Sequence, residues 1–137
     1  MRRHRLAVQA SVSSSGAPQA AVVGIAVTDA FEIVFATLES TRKAENLRRD
    51  QRIAFVIGGA LDGDECTVQY EGIADEPRGA DLERMTSAYL AVWPDGRGRE
   101  MWPGLIYVRV RPVWIRYSDF SQAPPGIVEF DARELLG

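Results

Sequence analysis

The chain has 137 residues, of which 46% are hydrophobic, and its formal net charge is -3. This length and composition fit one globular domain over residues 1–137 and exclude a disordered chain. A mildly acidic protein has no general attraction for nucleic acid or an anionic membrane, so we expect neither partner and infer that any anion site is local. No apolar run could span a bilayer. The single cysteine, Cys66, excludes an intrachain disulfide, so we expect a cytoplasmic protein.

The N-terminal part predicts three strands joined by short turns. Leu6, Val8 and Ala10 recur at every second position within 5–13, which is the period of a β-strand. Gly16-Ala17-Pro18 indicates a turn. A second strand is expected over 19–27, and after a turn over 28–30 a third strand over 32–37. Strands with such short connections are typical of an antiparallel meander.

A short helix is expected next, over 41–49, with Ser40 or Thr41 as its cap. Strands over 52–57 and 66–74 follow it, separated by a loop over 58–64. A longer helix fits 79–92, where Leu82, Met85 and Tyr89 recur at helical spacing and are expected to pack on the barrel.

The last long strand is predicted over 105–117, where Pro112 indicates a bulge or an edge position. Residues 127–130 are expected to add a final contact, and Asp131 is expected to cap a terminal turn. Six strands with two helices favour a closed or partly open antiparallel barrel, because closure removes exposed strand edges.

One segment combines hydroxyl and basic side chains where the third strand runs into the short helix: Thr37, Ser40, Thr41, Arg42 and Lys43. A helix N-terminus presents free backbone N–H groups and partial positive charge. Arginine and lysine suit phosphate oxygens, so the segment predicts a phosphate site. The same residues are also typical of a solvated helix cap with surface charges, and the motif by itself does not separate the two.

The stretch 35–48 resembles the flavin-phosphate segment of the pyridoxamine 5′-phosphate oxidase-like split barrels. That family shows a Thr, a short gap, Ser-Arg-Lys, then Asn-Leu-Arg and a strand that begins with Arg. The corresponding residues here are Thr37, Thr41-Arg42-Lys43, Asn46-Leu47-Arg48 and Arg52. The resemblance runs in order along nearly the whole chain. It implies a mainly β fold with two or three helices, a six-stranded antiparallel split β-barrel that binds FMN.

The resemblance also implies positions for the cofactor. Thr37, Thr41, Arg42 and Lys43 would contact the FMN phosphate, with Ser40 in the same segment. The backbone of Ala21, Val22 and Val23 would lie along the isoalloxazine ring, and Thr67 or Gln69 would approach the flavin from the strand over 66–74. The family's flavin lies at a dimer interface, so the resemblance implies a homodimer with two equivalent sites.

By the same resemblance we expect an FMN-dependent oxidoreductase of unknown substrate. Ala36 stands where the oxidase has an aromatic residue, the second strand lacks the oxidase's basic residues, and no residues match those that grip the substrate phosphate. We therefore expect a reaction other than pyridoxamine 5′-phosphate oxidation. Two alternatives stay open: an oxidoreductase of this fold that binds the deazaflavin F420, and a non-catalytic flavin- or haem-binding dimeric module.

Several other residues bear on these alternatives. His4 is the only histidine and lies near the terminus, which argues against histidine ligation of haem, and without a Cys/His cluster we expect no metal site. Trp102 and Trp114 could stack on a flavin, but aromatics in such strands more often belong to a core or a dimer interface. Arg116 fits a flavin contact, a partner contact or a surface pair. The loops over 58–64 and 93–104 are expected to form pocket walls.

Overall fold

The computed structural model describes residues 1–59 and 64–136. Part of the predicted loop over 58–64, residues 60–63, therefore lies outside the described residues. None of the described helices is both long and apolar enough to cross a membrane. In chain order the elements are β1 (Leu6–Val12), β2 (Pro18–Gly24), β3 (Ala26–Val27), β4 (Ile33–Leu38), α1 (Arg42–Arg49), β5 (Arg52–Gly58), β6 (Cys66–Asp75), α2 (Ala80–Val92), a 3₁₀ helix (Pro94–Arg99), β7 (Leu105–Asp119), β8 (Gly126–Asp131) and α3 (Ala132–Leu136).

The strands form one curled antiparallel sheet in the order β2-β1-β5-β6-β7-β4-β3, and β8 pairs with the end of β7. This confirms the mainly β, antiparallel split-barrel fold that the sequence predicted. The count of six strands was wrong, because residues 1–59 and 64–136 already form eight. One extra strand arises where the predicted strand over 19–27 divides, and the other is β8, where only a final contact was expected.

The division occurs at Ile25, which is fully buried. On its N-terminal side β2 pairs with β1, and on its C-terminal side β3 pairs with β4, so two neighbouring segments lie at opposite ends of the strand order. The Ile25 N–H donates to the Arg5 carbonyl at 2.8 Å. The sequence showed a continuous strand because a change of pairing partner alters neither the alternation nor the composition.

The long strand β7 joins the two halves of the sheet. Its first part pairs with β4 and its last part with β8, while β6 pairs along the opposite edge. The β6–β7 register shifts between Glu71 and Gly72, where Gly72 faces Pro112, which confirms the predicted bulge. A Cβ on Gly72 would lie 2.5 Å from Val110 Cγ1 and 2.6 Å from the Arg111 carbonyl oxygen. The bulge therefore requires glycine at this position.

Helix α2 packs on the outside of the sheet. Met85 and Tyr89 are buried against Ala26 and Val34, as the helical spacing predicted. Leu82 belongs to the same predicted stripe but is 36% exposed. Ion pairs, and not an apolar contact of Leu82, hold the first turns of the helix against the sheet.

These ion pairs join α2 to three parts of the barrel. Arg84 of α2 donates to Glu32, just before β4, at 2.7 Å. Asp81 of α2 lies 3.2 Å from the buried Arg109 of β7, which also donates twice to Asp75 of β6, at 2.9 and 2.7 Å. The hydrogen bond from Arg84 lowers the pKa of Glu32 below its usual value of 4.5, against the opposing effect of burial.

We expect Gly72→Ala to lower the free energy of unfolding by about 2 kcal/mol, because the added methyl group meets backbone that cannot move without breaking the bulge. Urea denaturation of the two proteins measures the difference. Gly98→Ala is the matched control, since a Cβ there meets no atom within 4 Å. Equal losses in the two variants would contradict the steric explanation.

We expect Glu32→Gln to destabilise the protein at neutral pH by about 2 kcal/mol, because it breaks a charge-assisted pair. A carboxyl whose pKa is lowered by folding stabilises the protein above its unfolded pKa, and that contribution disappears as the pH falls through the lowered folded pKa. The difference in melting temperature between variant and wild type should therefore shrink below about pH 4. Glu83→Gln, on the exposed side of α2, is the matched control and should leave the melting temperature at neutral pH unchanged.

Candidate functional site

The start of α1 is fixed by two threonines. Thr41 caps the helix, as predicted: its Oγ1 accepts from the Ala44 N–H at 3.3 Å and donates to the Leu38 carbonyl at 2.8 Å. Thr37 Oγ1 lies 3.1 Å from Thr41 Oγ1. Because the single Thr41 hydroxyl proton is committed to Leu38, Thr37 is the donor in this pair. Both hydroxyls are thus engaged in holding the turn.

Beside this turn lies a cleft of about 650 Å³ between β2 and α1, which we call the α1 cleft. It brings together four of the predicted phosphate residues: Ser40, Thr41, Arg42 and Lys43. Thr37 does not line it. That side chain is only 7% exposed and lines a separate, smaller cavity of about 120 Å³.

The groups that remain available for an anion are at Ser40, Arg42 and Lys43. Ser40 and Arg42 are exposed and Lys43 is half-buried. Within the described part of the chain, no carboxylate pairs with either cation, whereas Arg48 further along α1 is bound to Glu76. The N–H groups in the first turn of a helix lack intrahelical acceptors. The cleft therefore combines two cations, a hydroxyl and the positive end of a helix.

The opposite wall of the cleft is β2. Ala21, one of the predicted flavin-contact residues, lines the cleft together with Gln19 and Ala20. Val22 points away to the outer surface and is 64% exposed, while Val23 is only 7% exposed and belongs to the core. Small side chains at positions 20 and 21 leave the β2 backbone accessible from the cleft.

Sequence reasoning missed the polar residues on the floor of the cleft. Asn46 of α1 is 5% exposed and donates to Ser11 Oγ of β1 at 3.1 Å and to the Gln19 side chain of β2 at 2.7 Å. The Gln19 amide also touches the Arg42 guanidinium. Gln9 of β1 completes the floor. The Asn of the resembled Asn-Leu-Arg motif thus fastens the helix to the first hairpin.

A signal for this floor was present in the alternation of β1. Leu6 and Val8 are 57% and 41% exposed, whereas Gln9 and Ser11, which alternate with them, are 1% and 2% exposed. The pattern is inverted relative to a strand that buries its apolar side. Two polar residues on the inward side of a strand, close in space to a basic segment, therefore mark the site.

The predicted residues of β6 lie elsewhere. Gln69 is in the same row of the sheet as Val22, separated from it by β1 and β5, which corresponds to roughly 14 Å. Thr67 is one pleat further along β6. Neither lines the α1 cleft of its own chain. The structure therefore does not bring them together with Ser40, Arg42 and Lys43.

Both residues lie on a surface that we call the outer face, formed by the outward side chains of β2, β1, β5 and β6. Val22, Val8 and Val56 stand side by side in one row of it, and all three are more than 40% exposed. Ile73 of β6 and Val113 of β7 extend the apolar surface. An apolar patch of this kind on a sheet is typical of a surface that another molecule covers.

The remaining candidate residues have structural partners. Trp102 is half exposed beside Tyr89 and Tyr107, on the smaller cavity. Arg116 forms a surface ion pair with Glu129, to which its Nε donates at 2.7 Å, and its guanidinium lies 5.9 Å from the Trp114 ring. His4 Nε2 lies 3.6 Å from Asp64 Oδ2. Among residues 1–59 and 64–136, no group of three His, Cys, Asp or Glu side chains has a metal-binding arrangement.

Comparison with solved structures shows the fold in proteins of differing description. A heme binding protein from Mycobacterium smegmatis superposes with a TM-score of 0.83 at 16% identity, over 96% of this chain and 55% of that one. A pyridoxamine 5′-phosphate oxidase-related, FMN binding protein from Nostoc punctiforme gives 0.72 at 12% identity, over 95% and 83%. A conserved hypothetical protein from Mycobacterium tuberculosis gives 0.68 at 25% identity, over 84% and 77%.

The chain thus spans about half the length of the mycobacterial heme binding protein that it matches. No curated protein matches the sequence. A family model described as pyridoxamine 5′-phosphate oxidase, however, matches residues 1–119, which include every strand from β1 to β7 and the whole α1 cleft. The chain therefore belongs to the pyridoxamine 5′-phosphate oxidase family.

Proposed function

We propose that this protein binds FMN in the α1 cleft, as a homodimer, and acts as a flavin-dependent oxidoreductase on a substrate other than pyridoxamine 5′-phosphate. The observation that carries the proposal is the meeting of Ser40, Arg42 and Lys43 with the N-terminus of α1 in one cleft. The net charge of -3 gives no general attraction for anions, so this local concentration of donors is specific to the cleft.

The donor set fits a phosphate monoester. Arg42 offers a planar guanidinium for two phosphate oxygens, Lys43 a compact positive charge, and Ser40 a hydroxyl at the exposed rim. The helix N-terminus adds N–H groups and partial positive charge. Thr41 and Thr37 hold this constellation in place through their mutual hydrogen bond. The phosphate of FMN therefore belongs at this end of the cleft.

The β2 wall fits the rest of the cofactor. Ala20 and Ala21 leave the strand backbone accessible, and backbone N–H and C=O groups are what a flat heteroaromatic ring system with several polar edge atoms requires. FMN, when bound, supplies hydride-transfer chemistry, and the protein supplies binding and orientation. The residues named here therefore position the cofactor. We expect residues outside the cleft to bind the substrate.

Relatives of this fold include proteins described as FMN binding and as heme binding. The chemistry of the cleft favours the former for this chain. Protein ligands of haem iron are usually His, Cys, Met or Tyr, and among the described residues that line the cleft there is none of these. F420 also carries a phosphate group, as a diester where FMN has a monoester, so it is the second candidate.

The proposed dimer uses the outer face. Burying the row Val22, Val8 and Val56 against the same row of a second copy removes apolar surface from water and satisfies two-fold symmetry. Thr67 and Gln69 lie on that face, about 14 Å from β2 of their own chain. A symmetric dimer would bring them towards the cleft of the other copy, which is the role that the family resemblance implies.

We expect R42A/K43A to weaken FMN binding at least about 100-fold, because two charge-assisted contacts to the phosphate are lost. Quenching of flavin fluorescence during titration into purified protein measures the affinity. R78A/R133A removes the same net charge at exposed positions away from the cleft and should bind FMN like the wild type.

Unchanged FMN affinity in R42A/K43A would contradict the placement of the phosphate, and no binding of FMN by the wild type would contradict the proposed function. Competition of FMN with F420, and a parallel titration with hemin, identify the cofactor. Reduction of FMN-loaded protein by NAD(P)H, followed by reoxidation with a panel of acceptors, separates an oxidoreductase from a non-catalytic carrier.

We expect Val56→Glu to convert the dimer to a monomer, because it places a charge in the middle of the apolar row. FMN affinity should fall in parallel, since the site would lose the contribution of the second copy. Light scattering after size-exclusion chromatography measures the mass. Leu82→Glu, on α2 away from the outer face, should leave the mass unchanged, and a dimeric Val56→Glu would contradict the proposed interface.

A further inference from the structure

One residue of the α1 cleft lies outside the cationic segment and has an unpartnered polar atom. Gln9 of β1 is 1% exposed, and its Oε1 has no hydrogen-bond partner within the described part of the chain. It lines the floor of the cleft together with Ser11, Gln19 and Asn46. The other three are joined to one another through the Asn46 amide, so Gln9 alone keeps an open acceptor.

A buried acceptor without a donor costs roughly 1–3 kcal/mol. An apolar side chain of the same size at position 9 would avoid that cost, because the neighbouring inward residue Ala7 is already part of the hydrophobic core. The position therefore carries a polar group at the expense of stability, which is typical of a site that serves a ligand.

The position of Gln9 relative to the phosphate donors is set by the first hairpin. Gln19, whose amide touches Arg42, is paired with Ser11, and Gln9 is paired with Ala21, one pleat further along the same face. Two residues of a strand correspond to roughly 7 Å. A ligand whose phosphate is held by Arg42 and Lys43 would therefore place next to Gln9 atoms that lie roughly 7 Å from the phosphate, which is the length of a short carbon chain.

We infer that Gln9 accepts a hydrogen bond from a hydroxyl group of the bound ligand, and that the cleft thereby selects a phosphorylated polyol over a simple phosphate ester. This inference rests on the proposed function for its natural ligand, since the ribityl phosphate of FMN is such a polyol. It adds a selectivity that the cationic segment cannot provide, because Arg42 and Lys43 recognise any phosphate. A haem has no hydroxyl group to donate to this acceptor.

The test compares three probes by isothermal titration calorimetry on the full chain: FMN, ribitol 5-phosphate and inorganic phosphate. Gln9→Met keeps the size of the side chain and removes the acceptor. We expect it to weaken ribitol 5-phosphate and FMN about 10-fold and to leave inorganic phosphate unchanged. The ligand-free variant should melt a few degrees higher than the wild type, because the unpaired buried acceptor is gone. Gln9→Leu serves as a second apolar variant.

Gln51→Met is the control, since Gln51 is exposed and lies outside the α1 cleft, and it should change neither affinity nor melting temperature. Equal affinity of wild type and Gln9→Met for ribitol 5-phosphate would overturn the inference. Parallel weakening of inorganic phosphate would also overturn it, because the effect would then be structural. If the wild type prefers ribitol 5-phosphate to phosphate but fails to bind FMN, the inference stands and the proposed function falls.

Discussion

The exchange of pairing partner at Ile25 is the constraint on which the rest of the structure depends. Residues on either side of it pair with strands at opposite ends of the sheet, so one uninterrupted segment draws the sheet into a barrel. Trp93 holds this corner: its Nε1 donates to the Ile25 carbonyl at 3.0 Å, and its ring packs on Gly24, where a Cβ would lie 2.8 Å away. The Arg5 guanidinium lies over the indole ring, 4.1 Å from its centroid.

The corner also explains where the cleft lies. Before Ile25, β2 is an edge strand of the described sheet and pairs with β1, and its residues Gln19 and Ala21 line the α1 cleft. Helix α1 packs beside this open part of the hairpin and is fastened to it by Asn46. The segment that changes its pairing partner at Ile25 therefore also forms one wall of the α1 cleft.

The first hairpin has opposite chemistry on its two sides. Its inward side carries Gln9 and Ser11, which are buried and polar, and its outward side carries Val8 and Val22, which are exposed and apolar. The ligand and the second copy that we propose would cover the inward and the outward side, respectively. The exposed valines and the unpaired Gln9 acceptor lower the stability of the isolated chain. Ligand binding and association should each raise that stability.

The sequence by itself determined the local elements and the basic segment at the start of α1. Alternation and helical spacing are local properties, so β1, α1, α2 and the bulge at Pro112 followed from them, and the charges of Arg42 and Lys43 with the Thr41 cap are read directly. Only the tertiary structure decided that the strand divides at Ile25 and that Gln9 is buried. It also decided that Gln69 and Thr37 do not line the α1 cleft. Each depends on which strands pair and which side of a strand faces inward, and those are set by contacts between residues distant in the chain.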